Sequence, residues 1–293
     1  MKKKVSIIIV TYNSTKHIYD CLESIFKHND LGDMLEVIIV DNDSQEQKTM
    51  FEGIAAKYSE KVFLINSGKN GGYGFGNNIG IKKATSPIVI VMNPDVRLVQ
   101  PIFKKIANQF SSADVGMIGV DFVDGSCPYY FKRGHSSILR SLFFKFYVWR
   151  KHYNAEEMYM SGSFLAFNKE CFEKAGWFDE NIFMYSEEAD ITNRMLQQGY
   201  KVEWCPQIKV LHMAHDRDFN PFLDRIRLES GAYYERKYNV DSRKSYNNTV
   251  LVLRMKILVA SLFFQKRQKN KFLKYLYNLR SFCNEQNALI AKE

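Results

Sequence analysis

Four short apolar runs divide the first hundred residues of the chain at regular intervals. They are VSIIIV at 5–10, LEVIIV at 35–40, KVFLIN at 61–66 and IVIVM at 88–92. Polar turns and helical patterns separate them, including a predicted helix from about Lys16 to His28 and another that ends near Ala84. Continuous apolar strands that alternate with helices are typical of a parallel sheet covered on both faces. The pattern therefore predicts an α/β fold.

The alternation continues less regularly after residue 100. We predict a helix over 100–113, a strand over 116–123, a strand, helix and turn within 158–180, and a helix over 186–200 that Gly199 ends. KVEWCP and IKVLHM predict two further short strands, and residues 124–156 are irregular, basic and aromatic. After about Arg217 only helical patterns remain. The chain should thus divide into a sheet-containing region, 1–216, and a helical C-terminal extension, 217–293.

Three polar clusters follow predicted strands directly. They are Thr11-Tyr12-Asn13, Asp41-Asn42-Asp43 and Asn93-Pro94-Asp95. In parallel α/β sheets, ligands bind outside the carboxyl ends of the strands. The shared position of these clusters therefore predicts a ligand site at one edge of the sheet.

Asp95 has two interpretations. An aspartate after proline is a common turn residue or helix N-cap, whereas a single carboxylate beyond a sheet edge suits Mg²⁺ or Mn²⁺ bridging a diphosphate. His212 and His215 end the last predicted strand, and either could complete such a metal site. Their spacing does not choose between them.

A second acidic centre lies in the segment FMYSEEADITNR at 183–194. On a helix, Glu187, Asp190 and Arg194 share a face, while Glu188 points roughly 100° away. Acids at a helix N-terminus can simply complement the macrodipole. The alternative is a general base, because the preceding aromatic residues and the upstream SGSF segment could form a cavity wall that desolvates a carboxylate and raises its pKa.

The glycine-rich stretch NGGYGFGNNIG at 70–80 satisfies neither the G-x-G-x-x-G nor the G-x-x-x-x-G-K-[ST] pattern. It is either a flexible turn that opens a helix, or a loop whose small residues let backbone N–H groups and Asn77 or Asn78 approach a nucleotide.

Composition and charge narrow the class of protein. With 293 residues, of which 46% are hydrophobic, the chain can bury a substantial core. Five scattered cysteines without a C-x-x-C pair favour a reducing compartment, and no apolar run is long enough to span a membrane.

The net charge is +9, and between Val252 and Arg280 there are eight Lys or Arg residues and no acid. This tail is either a solvated helical face or a segment lying on an anionic membrane surface. Nucleic acid is not expected, since no recognised motif for it occurs.

Six stretches, in order and spacing, resemble the glycosyltransferase 2 family, particularly its bacterial rhamnosyltransferase-like branch in surface polysaccharide assembly. They are VSIIIVTYNS, VIIVDNDS, NGGYGFGNN, VMNPDV, the segment 161–200 that begins SGSFLAF, and VLH. The resemblance implies a GT-A fold, which is a Rossmann-like, mostly parallel sheet with flanking helices. It also implies a nucleotide-binding half over about 1–97, an acceptor half over about 98–216, and inverting transfer from a nucleoside-diphosphate-sugar, rhamnose being one candidate.

The resemblance also assigns expected roles to individual residues. Thr11, Tyr12, Asp41 and Asn42 would line the nucleoside pocket, with Asn13 in the same cluster. Asn70, Gly71, Gly72 and Asn77 would border the base or the sugar. Asn93-Pro94-Asp95 stands where the family has its D-x-D element, so Asp95 would be a metal ligand, Asn93 replaces the first aspartate, and His212 falls where some members supply a further ligand.

The family's E-D-x-D signature reads here as Glu187-Glu188-Ala189-Asp190. Glu188 would replace the usual aspartate as the catalytic base, although its longer side chain leaves the choice between Glu187 and Glu188 open. Glu188 would take the acceptor hydroxyl proton, while Mg²⁺ or Mn²⁺ on Asp95, helped by Arg194, would neutralise the departing diphosphate.

Two other functions compete with sugar transfer. A sugar-nucleotide nucleotidyltransferase should carry a basic, glycine-rich loop after the first strand, but VTYNSTKH has no glycine. A non-catalytic sugar-nucleotide-binding protein is the other alternative. For the transferase, the expected partners are the donor and a glycan or polyprenyl-diphosphate-linked acceptor. The expected location is the cytoplasm, with attachment to the inner face of the cytoplasmic membrane.

Overall fold

A computed structural model describes residues 4–135, 138–213 and 218–290 of the chain. Its strands are β1 (Val5–Thr11), β2 (Leu35–Asp41), β3 (Val62–Asn66), β4 (Ile88–Met92), β5 (Val96–Leu98), β6 (Val115–Phe122), β7 (Tyr129–Phe131), β8 (Met158–Met160), β9 (Phe164–Asn168) and β10 (Lys201–His212). Its helices are α1 (Thr15–Lys27), α2 (Gln47–Tyr58), α3 (Gly72–Lys83), α4 (Phe103–Gln109), α5 (Ile138–Leu142), α6 (Phe144–Trp149), α7 (Lys169–Lys174), α8 (Glu187–Gln197), α9 (Pro221–Lys237), α10 (Ser242–Leu262) and α11 (Lys266–Ile290).

The described residues group into two compact units. The sheet unit comprises 4–130, 153–183 and 187–213, and the helical unit comprises 131–135, 138–152, 184–186 and 218–290. The basic, aromatic stretch before residue 152 thus groups with the C-terminal helices. The predicted nucleotide-binding and acceptor halves, and the division at residue 216, stay predictions.

An eight-stranded sheet in the order β3-β2-β1-β4-β9-β6-β10-β5 forms the centre of the sheet unit. β3, β2, β1 and β4 are parallel neighbours, as the four apolar runs predict. Ile7, Ile8 and Ile9 of β1 are all fully buried, so both faces of this strand are covered. β9 runs antiparallel between β4 and β6, and β5 runs antiparallel to β10. The predicted α/β class with a mostly parallel sheet and flanking helices is confirmed.

Two local predictions need correction, and the structure adds elements that the pattern does not predict, including β7, α5 and α6 within the stretch expected to be irregular. The two short strands expected after residue 200 form one strand, β10, whose register shifts between Cys205 and Lys209. Pro206 lies in that interval, and a proline cannot donate to a ladder, so a bulge is the expected result. The structure adds α2, which the apolar pattern does not mark. The helix expected over 100–113 is shorter, at Phe103–Gln109.

The glycine-rich stretch is helical rather than a flexible turn, since α3 begins at Gly72. Its glycines lie where the helix packs closely on the sheet. A Cβ atom at Gly80 would lie 2.5 Å from Ile8 Cγ2, and one at Gly76 would lie 2.8 Å from Val10 Cγ1. The cost of glycine in a helix is therefore offset by a close approach that larger residues would prevent.

The helical unit contains the longest of the described helices. Leu228 of α9 forms a small core with Leu279 and Phe282 of α11, and α10 packs against it through Tyr246, Val250 and Leu253. None of the helices in the described part of the chain combines the length and the apolar character that crossing a membrane requires.

We expect Gly80→Ala to lower the free energy of unfolding by roughly 1–3 kcal/mol, because the added methyl group would overpack the contact with Ile8. Urea unfolding followed by circular dichroism would measure the change. Lys82→Ala is the matched control, since Lys82 is exposed on the same helix. Equal stabilities of Gly80→Ala and the wild type would contradict close packing as the reason for the glycine.

Candidate active site

The ends of β1 and β2 are joined by a buried network centred on Asp41. Thr11 and Asp41 are register partners, and Thr11 Oγ1 donates a hydrogen bond to Asp41 Oδ2 at 2.8 Å. Ser44 donates its hydroxyl to the same oxygen at 2.6 Å and its backbone N–H to Asp41 Oδ1 at 2.8 Å. Thr11 and Asp41 are fully buried. The carboxylate of Asp41 therefore fixes the two loops that leave these strands.

The loop after β1 is held to the loop after β2 at a second point. Asn13 donates its backbone N–H to Ser44 Oγ at 2.8 Å, and its side-chain oxygen accepts from the N–H of Gln45 at 3.1 Å. Asn13 has a φ of +51°, a conformation that asparagine tolerates better than most residues. Tyr12, beside it, is 52% exposed. Sequence reasoning missed Ser44, although its position just after Asp-Asn-Asp is one where an Asx turn is common.

Asn42 connects the same edge of the sheet to α3. Its amide nitrogen donates to the carbonyl of Gly72 at 2.8 Å, while its buried Oδ1 makes no hydrogen bond to a described residue. Asn70 Oδ1 accepts from the N–H of Gly72 at 3.2 Å. Asn77 is buried and donates to the carbonyl of Tyr73 at 2.9 Å, within its own helix. The structure thus brings together the predicted residues of the first two polar clusters and the start of α3.

The third polar cluster lies next to His212 because β5 pairs antiparallel with the end of β10. In that pairing Val96 faces His212, and the N–H of Met213 donates to the carbonyl of Asp95 at 2.9 Å. Asp95 Oδ1 and His212 Nε2 are 3.7 Å apart. His215, the alternative ligand, lies outside the described residues.

Arg97 holds the turn that carries Asp95. Its guanidinium donates to the carbonyl of Pro94 at 2.7 Å and to the carbonyl of His17, in α1, at 3.0 Å. The side chain of Arg97 is largely buried. The Asn-Pro-Asp turn is therefore fixed against α1, and sequence reasoning did not identify this role of the arginine.

Asp95 and His212 suit a shared divalent cation. Metal–ligand distances of about 2.1 Å let two ligands of one ion lie up to about 4.2 Å apart, so their separation fits. Among the residues that the structure describes, no group of three or more His, Cys, Asp or Glu side chains could hold a metal. An ion at this pair would need further oxygen donors from a ligand or from water.

Glu188 is held by the peptide groups around Gly162. Glu188 Oε1 accepts a hydrogen bond from the N–H of Gly162 at 3.0 Å, and the carbonyl of Gly162 accepts one from Tyr73 Oη at 2.6 Å. A Cβ atom at position 162 would lie only 2.3 Å from Glu188 Oε1. Glycine is therefore required for the carboxylate to approach the backbone. The SGSF segment forms part of the site, as predicted, whereas sequence reasoning missed Tyr73.

Burial raises the pKa values of the two neighbouring glutamates, Glu187 and Glu188, to different extents. It raises the pKa of the Glu188 carboxyl to about 7, an increase that the hydrogen bonds from its own N–H and from Gly162 oppose. The pKa of Glu187 is raised further, first by burial, then by the charge on Glu188, and least by the charge on Asp190. Glu187 Oε2 makes no hydrogen bond to a described residue. This order favours Glu188 as the group that loses its proton near neutral pH.

Arg194 is engaged within the protein rather than directed at Glu188. Its Nε and Nη2 atoms donate to Asp190 Oδ2 at 2.9 and 2.6 Å, and its Nη1 donates to the carbonyl of Ala175. Asp190 is fully buried, so this forked ion pair compensates its charge. Asp190 and Arg194 do share a helix face, as predicted. These contacts hold α8 in place, and the predicted roles of Asp190 in catalysis and of Arg194 toward the diphosphate stay predictions.

Residues 161–163 contact three parts of the site: the turn that carries Asp95, the glycine-rich helix α3, and helix α8 with Glu188. The carbonyl of Ser163 accepts from the N–H of Asn93 at 2.9 Å, directly beside the contacts of Gly162 with Tyr73 and Glu188. One short segment thus touches the turn that carries Asp95, the glycine-rich helix and the helix that carries Glu188. The arrangement brings the Glu188 carboxylate and the Asp95–His212 pair to one edge of the sheet.

We expect Glu188→Gln to raise the free energy of unfolding at pH 8 by roughly 1–3 kcal/mol. Between the unfolded pKa near 4.5 and the folded pKa of about 7, the native protein binds more protons than the unfolded chain. The free energy of unfolding of the wild type should therefore fall as pH rises through this window. The glutamine of the variant does not titrate, so this pH-dependent loss of stability should be absent from it. Urea unfolding at pH 4.5 and pH 8 measures it, with the exposed Glu173→Gln as control. Parallel pH profiles of wild type and Glu188→Gln would contradict the raised pKa.

Comparison with known proteins agrees with this architecture. The family described as Glycosyl transferase family 2 matches residues 6–176. The dTDP-rhamnosyl transferase RfbF of Shigella flexneri is 26% identical over 285 residues, which cover 92% of this chain and 91% of that protein. The N-acetylglucosaminyl-diphospho-decaprenol L-rhamnosyltransferase of Mycobacterium tuberculosis is 26% identical, over 75% of this chain and 80% of that protein.

A solved structure shows the same fold. The mannosyltransferase PcManGT from Pyrobaculum calidifontis, in complex with GDP-Man and Mn²⁺, is similar with a TM-score of 0.63 at 17% identity, covering 96% of this chain and 87% of that one. The family match covers more than half of the chain and includes all three polar clusters at the strand ends. The chain belongs to glycosyl transferase family 2 and is a glycosyltransferase of the rhamnosyltransferase-like kind.

Proposed function

We propose that this protein transfers a sugar from a nucleoside-diphosphate-sugar to a glycan hydroxyl with inversion, and that Glu188 is its catalytic base. The observation that carries the proposal is the half-buried Glu188 carboxylate, which Gly162 holds beside the Asn93–Asp95 turn and whose pKa lies near neutrality. Carboxylates tuned to this range are suited to accept a proton from an alcohol during attack.

The proposed reaction needs one proton acceptor. As the acceptor hydroxyl oxygen bonds to the anomeric carbon, its proton passes to the Glu188 carboxylate. The bond from that carbon to the diphosphate oxygen breaks on the opposite face, so the configuration inverts. Glu187 stays protonated through this step, because a second charge in the same buried region would be unfavourable.

The nucleoside of the donor would bind at the first two polar clusters. Asn42 Oδ1 offers a buried acceptor there, and the half-exposed ring of Tyr12 offers a surface for stacking. Asn13, Asn70, Gly71, Gly72, Asn77 and Asn93 would complete the border of the site. RfbF is a dTDP-rhamnosyl transferase and PcManGT binds GDP-Man, so dTDP-rhamnose is our first candidate donor and GDP- and UDP-sugars are the comparators.

Asp95 and His212 would hold Mg²⁺ or Mn²⁺. A carboxylate together with an imidazole favours Mn²⁺ over Mg²⁺, which prefers oxygen ligands, and the structure of PcManGT contains Mn²⁺. When bound, the ion would supply positive charge that stabilises the departing diphosphate.

For the acceptor, we propose a glycan carried on a polyprenyl diphosphate. The relative from Mycobacterium tuberculosis is named for an N-acetylglucosaminyl-diphospho-decaprenol acceptor. The enzyme would then work in the cytoplasm at the anionic inner face of the membrane, where such a carrier lies.

Asp95→Ala and His212→Ala should each reduce Mn²⁺-dependent release of nucleoside diphosphate from the donor by roughly a hundredfold, because the cation would lose one of its two protein ligands. Release would be measured with dTDP-rhamnose, UDP- and GDP-sugars, and binding by the Mn²⁺-dependent rise in Tm in the presence of nucleoside diphosphate. Asp33→Ala, an exposed carboxylate of the sheet unit, is the control. Wild-type release and Tm shift in both variants would remove this pair from the mechanism.

The pH dependence of sugar transfer should also show which glutamate is the catalytic base. We expect kcat/KM to rise with pH to a plateau above about 7, because only the ionised Glu188 accepts a proton. Glu188→Gln should lose roughly a hundredfold to ten-thousandfold in kcat, while Glu187→Gln, which replaces one neutral group by another, should retain most activity. The opposite order of the two variants would assign the base to Glu187.

A further inference from the structure

We propose that the turn between α10 and α11 inserts into the headgroup region of an anionic lipid bilayer. The insertion surface, called the hairpin tip here, consists of Leu258, Val259, Leu262, Phe263 and Phe264. It specifies where the enzyme meets the membrane surface assumed in the proposed function, but lipid binding by the tip does not require sugar transfer.

The hairpin tip exposes large apolar side chains side by side. Phe263 is 69% exposed and Phe264 is 93% exposed, and the other three members are at least half exposed. Residues 258 and 262, and likewise 259 and 263, are one helical turn apart, so their side chains lie on one side of the end of α10. Single exposed apolar residues are ordinary, whereas a contiguous cluster indicates an interaction surface.

The backbone of the turn makes Phe264 an unusual choice. Its φ is +54°, the left-handed conformation that favours glycine. The N–H of Gln265 donates to the carbonyl of Ala260 at 2.8 Å and the N–H of Phe264 to that of Ser261 at 3.2 Å, which is the helix-ending pattern that ordinarily has glycine at this position. Phenylalanine here is unfavourable for the backbone and exposes its ring to water. Packing against the described residues does not account for it, since the side chain is almost fully exposed.

Cations follow the apolar cluster at once. Lys266, Arg267, Lys269 and Lys271 begin α11, and residues 242–284 contain no acid. Arg267 pairs with Asp218 at 2.8 Å, so the lysines carry most of the local positive charge. Apolar side chains flanked by lysines are the combination that enters the headgroup region while binding anionic lipids. A second copy of the chain would bring the same cations together and repel, which favours a lipid surface over self-association.

Vesicle flotation of the full chain tests the proposal. We expect the wild type to float with vesicles of phosphatidylcholine and phosphatidylglycerol, and to bind pure phosphatidylcholine far more weakly. F263S/F264S should weaken partitioning at least roughly tenfold through lost apolar burial. K266Q/K269Q should weaken it by roughly an order of magnitude and reduce its dependence on salt. F222S is the matched control, because Phe222 is 70% exposed in α9 outside the tip.

Two results would overturn the proposal: a wild type that does not float with anionic vesicles, or F263S/F264S that floats as well as F222S. Sedimentation velocity without lipid tests a third overturning result. If the wild type self-associates and F263S/F264S does not, the tip binds a second copy of the chain and not a bilayer. Metal-dependent release of nucleoside diphosphate from a water-soluble donor should be equal in wild type and F263S/F264S. A wild type that releases no nucleoside diphosphate would count against the proposed function, but not against insertion of the hairpin tip into a bilayer.

Discussion

The peptide group of Gly162 is the contact on which the rest of the site depends. Its N–H binds the carboxylate of Glu188, its carbonyl binds the hydroxyl of Tyr73, and the next residue binds the turn that leads to Asp95. A side chain at position 162 would collide with Glu188, so only a bare backbone lets an acid from α8 come this close to the end of β4. A rigid backbone donor also limits where the carboxylate can move, which suits the role of catalytic base proposed for Glu188.

The sheet brings the other groups to the same edge through its connections. The parallel neighbours β1 and β2 place Thr11 beside Asp41, and the antiparallel pairing of β5 with β10 places Asp95 beside His212 across more than a hundred residues of sequence. Antiparallel β9 enters next to β4, and the SGS segment precedes it directly. The mixed order of strands therefore supplies what an all-parallel sheet could not: a loop entering from the opposite direction at the site.

The three acidic side chains at the start of α8 lie in three different environments. Asp190 is paired through the forked contact with Arg194. Burial and the charge on Glu188 raise the pKa of Glu187 well above its ordinary value, whereas Glu188 accepts from its own N–H and from that of Gly162 and has a pKa of about 7. Three ionised carboxylates within one helical turn would repel strongly in a desolvated region. Pairing one acid and raising the pKa of another leaves Glu188 as the acid that suits proton transfer near neutral pH, which is the role proposed for it.

Local sequence determined the elements and many of the site residues of this protein. The apolar runs mark β1 to β4 because a strand covered on both faces must be apolar throughout. The polar clusters that follow them mark the edge where parallel α/β sheets in general bind ligands. The resemblance of six segments then implied a family, which the comparison confirmed. The choice between Glu187 and Glu188, however, depends on desolvation and on a hydrogen bond from Gly162, and these come from chain segments that are distant in sequence. The same holds for Arg194, whose partners are fixed by packing, and for Asp95 with His212, which only strand pairing brings together. Sequence spacing records which side chains a helix or a strand offers, whereas tertiary structure alone decides which of them lose water and which meet a partner.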